Sequence, residues 1–198
     1  LKDPKTIAKL VIDGRYSFPY VPEGIYAEIR NLSNLHIQTQ EEEITRIKNR
    51  IARWFSIYFP EIKDVYRNPD AVSGLMIIKQ VPLPCDIKEL GVEGVNKIWR
   101  DARLKGVGIK RVTTLVTVAE HGIGNIEAPK SARKESQNLL NDYEVYKKRM
   151  EELMEEIEGI LSEIPYVDKL LEISGGGIKT LNCFIAEVGD IGRFDNPK

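Results

Sequence analysis

The sequence predicts a mainly α protein with two long coiled-coil-like helices, short helices between them and a helix–hairpin–helix-like unit at the C-terminal end. Apolar residues recur at spacings of three and four over residues 23–59 and again over residues 129–164, which is the pattern of helices with one buried face. Prolines and glycines are frequent between these two segments and divide that stretch into short elements. Three consecutive glycines at 175–177 separate the last two apolar segments.

Composition excludes several classes of protein. The chain has 198 residues, of which 42% are hydrophobic and 30% are charged, so it can bury one or two modest cores. No apolar run approaches the roughly 20 residues of a membrane span, and we expect no membrane partner. Two distant cysteines, Cys85 and Cys183, fit neither a zinc pattern nor a disulfide framework, which indicates a reducing, cytoplasmic location. Only two histidines are present, which excludes a histidine-rich metal site.

The N-terminal segment predicts a short helix over residues 1–15. Asp3 and Pro4 suit its N-cap and first turn, and Gly14 ends it. Its apolar stripe consists of Ile7, Ala8, Leu10 and Val11. The chain starts with Leu1 and stops just after a loop signal, so we expect a piece of a longer protein.

The first long helix is predicted over residues 23–59 and carries two apolar stripes, with a change of phase near Leu35. The first stripe consists of Ile25, Ile29 and Leu32, and the second of Ile37, Ile44, Ile47, Ile51, Trp54 and Tyr58. The heptad spacing of the second stripe predicts a coiled coil or packing against a partner helix.

The middle of the chain is predicted to form short helices over residues 60–128. One is amphipathic over residues 92–104, with Val95, Ile98, Trp99 and Ala102 facing inward. Residues 112–120 have high β-propensity, but their neighbours are helical and no pairing strand is visible, so we predict a helix there.

The second long helix is predicted from Pro129 until Pro165 ends it. Its apolar seam consists of Leu139, Tyr143, Tyr146, Met150, Leu153, Ile157, Ile160 and Ile164. Two tyrosines in the seam suit an intramolecular or looser contact better than a strict leucine zipper. A homo-oligomer formed through this coiled coil is a further expectation.

Charge is unevenly distributed although the formal net charge is only −1. The first basic run consists of Arg46, Lys48, Arg50 and Arg53, without an acid among them, and residues 151–163 carry six carboxylates and no cation. A second group lies within residues 97–111 and gives the candidates Lys97, Arg100, Arg103, Lys110 and Arg111. Basic faces of this kind neutralise phosphates, whereas ordinary solvated helix faces are the alternative.

The glycine segment 175–177 is the third candidate for nucleic-acid binding. The helix that follows it opens with unpaired backbone N–H groups, which favour a phosphate. The candidate binding residues are Gly175, Gly177, Lys179 and Thr180. A plain helix–turn–helix corner with a glycine C-cap is an equally good interpretation of this segment alone.

Taken together, three stretches resemble the DEDD-type insertion-sequence transposases of the Piv/MooV-invertase-like family. They are KDPKTIAKLVIDGRYSFPYVPEGIYAEIRNL from Lys2, TRIKNRIARWFSIYFPE from Thr45 and LLEISGGGIKTLNCFIAEVGDIGRF from Leu170. The resemblance implies three parts: the end of a RuvC-like catalytic domain at 1–22, a helical coiled-coil region at 23–165, and the start of the C-terminal transposase domain at 166–198. The RuvC-like α/β domain itself would be almost entirely missing.

The resemblance also implies a chemistry. Family members place four acidic residues around Mg²⁺, and Asp3 matches the last of them; paired carboxylates hold such metals so that they activate a nucleophile and stabilise the leaving oxygen. The other acids would lie before Leu1, and a serine nucleophile would lie beyond Lys198. The full-length protein would therefore cut and join DNA, with a structured guide RNA as a further partner, and these 198 residues alone would be inactive. Ser174 and Gly176 depart from the family pattern, which puts phosphate gripping by the hairpin in doubt.

Two alternatives from other classes stay open. The chain could be a non-enzymatic helix–hairpin–helix protein that binds nucleic acid through the glycine segment. It could instead be a coiled-coil assembly protein that oligomerises through residues 139–164 and has no affinity for nucleic acid; the basic runs would then be unexplained.

Overall fold

A computed structural model describes residues 4–15, 19–68, 72–103, 108–124, 127–173 and 176–194. Every regular element within these ranges is helical and none is a strand, which confirms the predicted mainly α fold. Over the same residues, no helix combines the length and the apolar character that crossing a membrane requires.

Ten α-helices lie along these ranges. They are α1 (Pro4–Ile12), α2 (Gly24–Gln38), α3 (Thr45–Tyr58), α4 (Ile62–Val65), α5 (Val72–Gln80), α6 (Pro84–Asp101), α7 (Ile109–Glu120), α8 (Pro129–Leu161), α9 (Val167–Leu171) and α10 (Ile178–Val188). A π-helical segment, Thr39–Ile44, joins α2 to α3, and a 3₁₀ turn, Ile191–Arg193, follows α10.

The chain divides into two compact units. Unit 1 comprises Leu1–Asn34 and Glu156–Lys198, and unit 2 comprises Leu35–Glu155. The domain boundaries at residues 22 and 165 were predicted from the resemblance to a family. The two units are defined by contacts between residues and do not test those boundaries, which stay predictions.

The first long helix is confirmed, with one local difference. Helical backbone runs from Gly24 to Tyr58, but its section Thr39–Ile44 is π-helical. Because a π turn closes its hydrogen bonds one residue later than an α turn, it shifts the apolar stripe around the helix. The change of phase that the sequence indicated near Leu35 thus has a structural cause a few residues further along.

The second stripe of this helix packs inside unit 2. Ile51 is fully buried, and Trp54, also buried, donates a hydrogen bond from its Nε1 to the carbonyl oxygen of Ala132 over 3.1 Å. Closer to the start of α3, Arg50 lies 3.8 Å from Asp142. The order of these two contacts makes α3 and the first half of α8 antiparallel, so the stripe packs against a helix of the same chain. Coiled-coil geometry as such stays a prediction.

Helices α6 and α7 pack on each other and complete this core. The β-prone segment is helical, as predicted, because Val112 and Leu115 lie one turn apart and are both fully buried. In α6, Val95 and Trp99 are buried as predicted. The element is interrupted at Gly91, whose φ of 63° and ψ of −175° are not helical. Its second part therefore begins at Val92, where the sequence predicts a helix to start, and a further helical stretch from Pro84 precedes it.

The seam of α8 is buried unevenly. Leu139 is fully buried in the core of unit 2, whereas Tyr143 and Tyr146 pack against that core with part of each ring exposed. The helix ends at Leu161, four residues before the proline that was expected to stop it. The half-buried tyrosines agree with an intramolecular contact for this stretch.

The start of α6 is joined to the start of α8 by one carboxylate. Asp86 accepts a hydrogen bond from the backbone N–H of Leu83, 3.2 Å away, and another from Nε of Arg133, also 3.2 Å away. Burial by itself would raise the pKa of Asp86, but the hydrogen bond and charge of Arg133, together with the Leu83 N–H, hold that pKa below its usual value. The folded state therefore favours the ionised carboxylate.

We expect this carboxylate to make the stability of unit 2 sensitive to acid. Its contribution should be complete above the unfolded-state pKa of about 3.9 and should disappear as pH falls through the lower folded-state pKa. Replacing Asp86→Asn should cost about 1–3 kcal/mol at neutral pH, because hydrogen bonds to a charged group are lost. Urea unfolding of wild type and variant between neutral and acidic pH measures this difference, which should shrink below about pH 4. In the control Asp101→Asn, an exposed residue, the difference should stay small at every pH.

In unit 1, α10 packs on α9 and ends against an aromatic ring. Gly189 follows α10 with φ of 74°, and a Cβ placed there would lie 2.5 Å from the ring of Tyr20. The hydroxyl of Tyr20 accepts a hydrogen bond from the N–H of Asp190 over 3.4 Å. Both the backbone conformation and the close approach require glycine at this position.

Replacing Gly189→Ala should therefore destabilise unit 1 by about 1–3 kcal/mol, through a strained positive φ and a clash with Tyr20. The matched control is Gly159→Ala, because Gly159 lies inside α8 with open space around its Cβ position. The change Gly159→Ala should stabilise the protein by about 0.5–1 kcal/mol. Thermal or urea unfolding measures both variants, and a Gly189→Ala protein as stable as wild type would contradict the packing described here.

Candidate nucleic-acid interface

The end of α6 and the start of α7 meet at two buried aromatic rings. Tyr66 and Trp99 are 5% and 1% exposed, and their rings pack edge to face with centroids 6.2 Å apart. The guanidinium carbon of Arg111 lies over the Tyr66 ring, 5.6 Å from its centroid. A cation over an aromatic face is attracted by the ring quadrupole, so this contact fixes the first turn of α7 against the core.

Five of the predicted cations lie in the last two turns of α6, just after its end or in the first turn of α7. We call this set the basic corner: Lys97, Arg100, Arg103, Lys110 and Arg111. All five are exposed. Lys97 and Arg100 lie one turn apart on α6, while the first turn of α7 contains Lys110 and Arg111 and no acid. Among the residues that the structure describes, no acidic side chain forms an ion pair with Lys97, Arg100 or Lys110.

Two further residues distinguish the basic corner. Arg103 has a φ of 51° just after α6 ends, a left-handed conformation that costs energy in a residue other than glycine and is often found at functional sites. Arg67 directly follows Tyr66 in the chain and is exposed. It is a single cation outside both basic runs, so the sequence analysis did not select it.

The first basic run is more compensated than the corner. Arg46 lies 3.6 Å from Glu43 and Arg50 lies 3.8 Å from Asp142. Lys48 also has a partner within the chain, as does Arg111 of the corner. Arg53 is exposed. Pairing with acids reduces the charge that these side chains can present to a phosphate, so this run is the weaker candidate of the two.

The glycine segment forms a tight turn in unit 1. Gly175 lies outside the described residues. The N–H of Gly176 donates to the carbonyl oxygen of Ile173 over 2.8 Å, and a Cβ at Gly176 would lie 2.9 Å from the carbonyl oxygen of Leu170. The backbone is therefore closely packed around Gly176.

Beyond this turn, α10 begins with an exposed first turn. Gly177 is its N-cap, and both Lys179 and Thr180 are exposed. An apolar groove of about 250 Å³ lies beside it; its lining residues are Leu170, Ile173, Gly176, Thr180, Leu181 and Phe184. The open helix start is compatible with a phosphate contact, while the groove next to it offers only apolar contacts.

The acidic metal site that the resemblance implies stays a prediction. Asp3, the one matching acid, lies outside the described residues. Within those residues, no group of three or more His, Cys, Asp or Glu side chains could hold a metal ion.

A hydrogen-bonded network of tyrosines in unit 1 has a structural role. Tyr166 donates to the hydroxyl of Tyr26 over 3.2 Å, and Tyr26 donates to Asp190 over 3.3 Å. Burial, followed by the hydrogen bond with Tyr166 and the charge of Asp190, raises the pKa of Tyr26. A phenol with a raised pKa keeps its proton and is a poor nucleophile, so this network positions the C-terminal turn rather than reacting.

Comparison of the chain with protein-family models, with curated protein sequences and with solved structures gives no match. The assignment of a function therefore depends on the geometry and charge described above and on the resemblance of the three sequence stretches.

Proposed function

We propose that this chain is a nucleic-acid-binding helical region of a DEDD-type insertion-sequence transposase and that it contacts phosphates through the basic corner. The observation that carries the proposal is the presence of five exposed cations at the end of α6 and the start of α7. Of these, Lys97, Arg100 and Lys110 lie outside any ion pair of the described residues. Such groups release counterions from a nucleic acid and supply sequence-independent affinity.

The transposase assignment is supported by the resemblance of the three stretches in their order along the chain. In such a system base pairing with a guide RNA supplies sequence information, so the protein needs to hold backbones rather than read bases. A helical surface of arginine and lysine side chains meets that need. Homo-oligomerisation through α8 belongs to the same proposal, although the seam residues Tyr143 and Tyr146 already pack within their own unit.

Neutralising the corner should weaken binding and reduce its salt dependence. The variant Lys97→Gln/Arg100→Gln/Lys110→Gln removes three phosphate contacts. The negative slope of log K against log salt should therefore become shallower by about 2.7 for a duplex, at about 0.9 per contact. Fluorescence anisotropy of a short labelled duplex over a range of salt concentrations measures this slope.

The control removes three other exposed lysines, Lys130→Gln/Lys134→Gln/Lys169→Gln, and should leave the slope near that of wild type. If both triple variants lose the same affinity and the same salt dependence, net charge alone determines binding, and the basic corner is not a specific site. A variant of the hairpin, Lys179→Gln/Thr180→Val, tests the alternative: if only that change abolishes binding, the helix–hairpin–helix interpretation is favoured.

Catalysis is proposed for the full-length protein with Mg²⁺, and these 198 residues alone should bind without cutting. Of the four family acids only Asp3 has a counterpart here, and one carboxylate does not hold the metals that stabilise both oxygens of an in-line displacement. Incubating the chain with supercoiled plasmid and Mg²⁺ should give no more nicking than an Asp3→Asn variant gives. Nicking that depends on Mg²⁺ and on Asp3 would contradict this part of the proposal.

A further inference from the structure

We propose that a cleft between α5, α6 and α8 binds a small organic cation, namely an amine that carries an apolar group. The cleft has a volume of about 530 Å³ and lies entirely inside unit 2. This size is within the range of sites that bind small molecules in proteins. The proposal does not depend on nucleic-acid binding, because the described residues that line the cleft include none of the five cations of the basic corner.

Part of the lining is apolar and belongs to the core of unit 2. Ile78 and Val81 are 1% and 7% exposed, and Pro82 beside them is also buried. Ser136 of α8 lines the cleft as well and is fully buried; its hydroxyl donates to the carbonyl oxygen of Arg133 over 2.8 Å. Because its proton is used in that bond, the Ser136 oxygen is left as an acceptor. An apolar group of a ligand gains free energy by leaving water for this part of the lining.

The charged groups of the lining leave one carboxylate without a partner. Arg133 forms an ion pair with Asp86, and Nζ of Lys79 lies 2.7 Å from a carboxylate oxygen of Glu144. Glu89 is exposed and forms no ion pair with any residue that the structure describes. Since both cations of the lining are paired with acids, the remaining charge is negative and attracts a cation.

The C-terminal end of α5 adds hydrogen-bond acceptors to the same cleft. Ile78 and Gln80 lie in its last turn and line the cleft. Four residues after them stand Pro82 and Pro84, and a proline has no N–H that could continue the helical hydrogen bonds. The negative end of the helix dipole favours a cation at this place as well. An ammonium group, which has three donors and no acceptor, meets both requirements.

The test compares three probes of similar shape that differ in charge: cyclohexylmethylammonium, cyclohexylmethanol and cyclohexanecarboxylate. Each is titrated into the ¹⁵N-labelled chain, and the amide chemical shifts give both the Kd and the place of binding. We expect the ammonium probe to bind about tenfold more tightly than the alcohol, which is the scale of one hydrogen bond to a charged group. The carboxylate should bind more weakly than either, and the shifted resonances should belong to residues 78–90 and 133–137.

Glu89→Gln should weaken binding of the ammonium probe about threefold to tenfold, because an exposed carboxylate is partly screened by solvent. Binding of the alcohol should not change. The matched control is Glu93→Gln, because Glu93 is an exposed residue of the same helix that does not line the cleft. This control should leave all three affinities unchanged.

A second pair of variants adds a cation instead of removing an acid. Gln137→Lys places a positive charge in the lining and should abolish binding of the ammonium probe, whereas Asn138→Lys changes an exposed residue outside the lining and should not. A thermal unfolding curve for each variant separates lost binding from lost folding.

Equal affinities for the ammonium and alcohol probes, or tighter binding of the carboxylate, would overturn the proposal. So would a wild-type chain in which no probe shifts the resonances of the cleft, or in which the ammonium probe shifts only the acidic stretch 151–163. A folded Glu89→Gln protein with unchanged affinity would contradict the charge argument. Binding of nucleic acid is measured separately, so that failure of one proposal leaves the other standing.

Discussion

The packing of unit 2 depends on the burial of the Trp54 indole. Its ring is 1% exposed and packs against Phe55 and Tyr58, with centroids 5.4 and 5.0 Å away. A buried indole N–H costs free energy unless it finds an acceptor, and the carbonyl oxygen of Ala132 satisfies it. This one hydrogen bond fixes the start of α8 against the end of α3. The nearby pair of Arg50 and Asp142 is about half exposed on both sides and adds little by comparison.

The basic corner takes its rigidity from that core. Asp86 and Arg133 join the start of α6 to α8, and α6 in turn carries α7 on its buried face. At the far end of this packed pair, Tyr66 and Trp99 bring α6 and α7 together beneath Arg111. Cations on a fixed base lose less conformational entropy on binding than cations on a mobile loop. The corner is thus preorganised by apolar packing, although the groups that it presents are charged.

Local periodicity was enough to predict most of the helices. The stripes of three and four residues identified α1, α3, α8 and α10, and the absence of a pairing strand correctly outweighed the β-propensity of α7. Features set by distant contacts were not predictable. The contact of Arg111 with Tyr66 joins segments that only tertiary packing brings together. Phe184 of α10, an apolar residue, is 45% exposed, which local periodicity does not reveal.

The same reasoning explains why the two basic runs, alike in the sequence, are unlike in the structure. A count of charges gives equal weight to Arg50 and Lys97. Arg50, however, shares its charge with Asp142 from a helix far along the chain, whereas Lys97 has no such partner among the described residues. An ion pair must be broken before its cation can bind a phosphate, and the free energy of breaking it reduces the binding free energy. The strength of a basic face therefore depends on which acids the fold brings near it, and this is information that no local segment of the sequence contains.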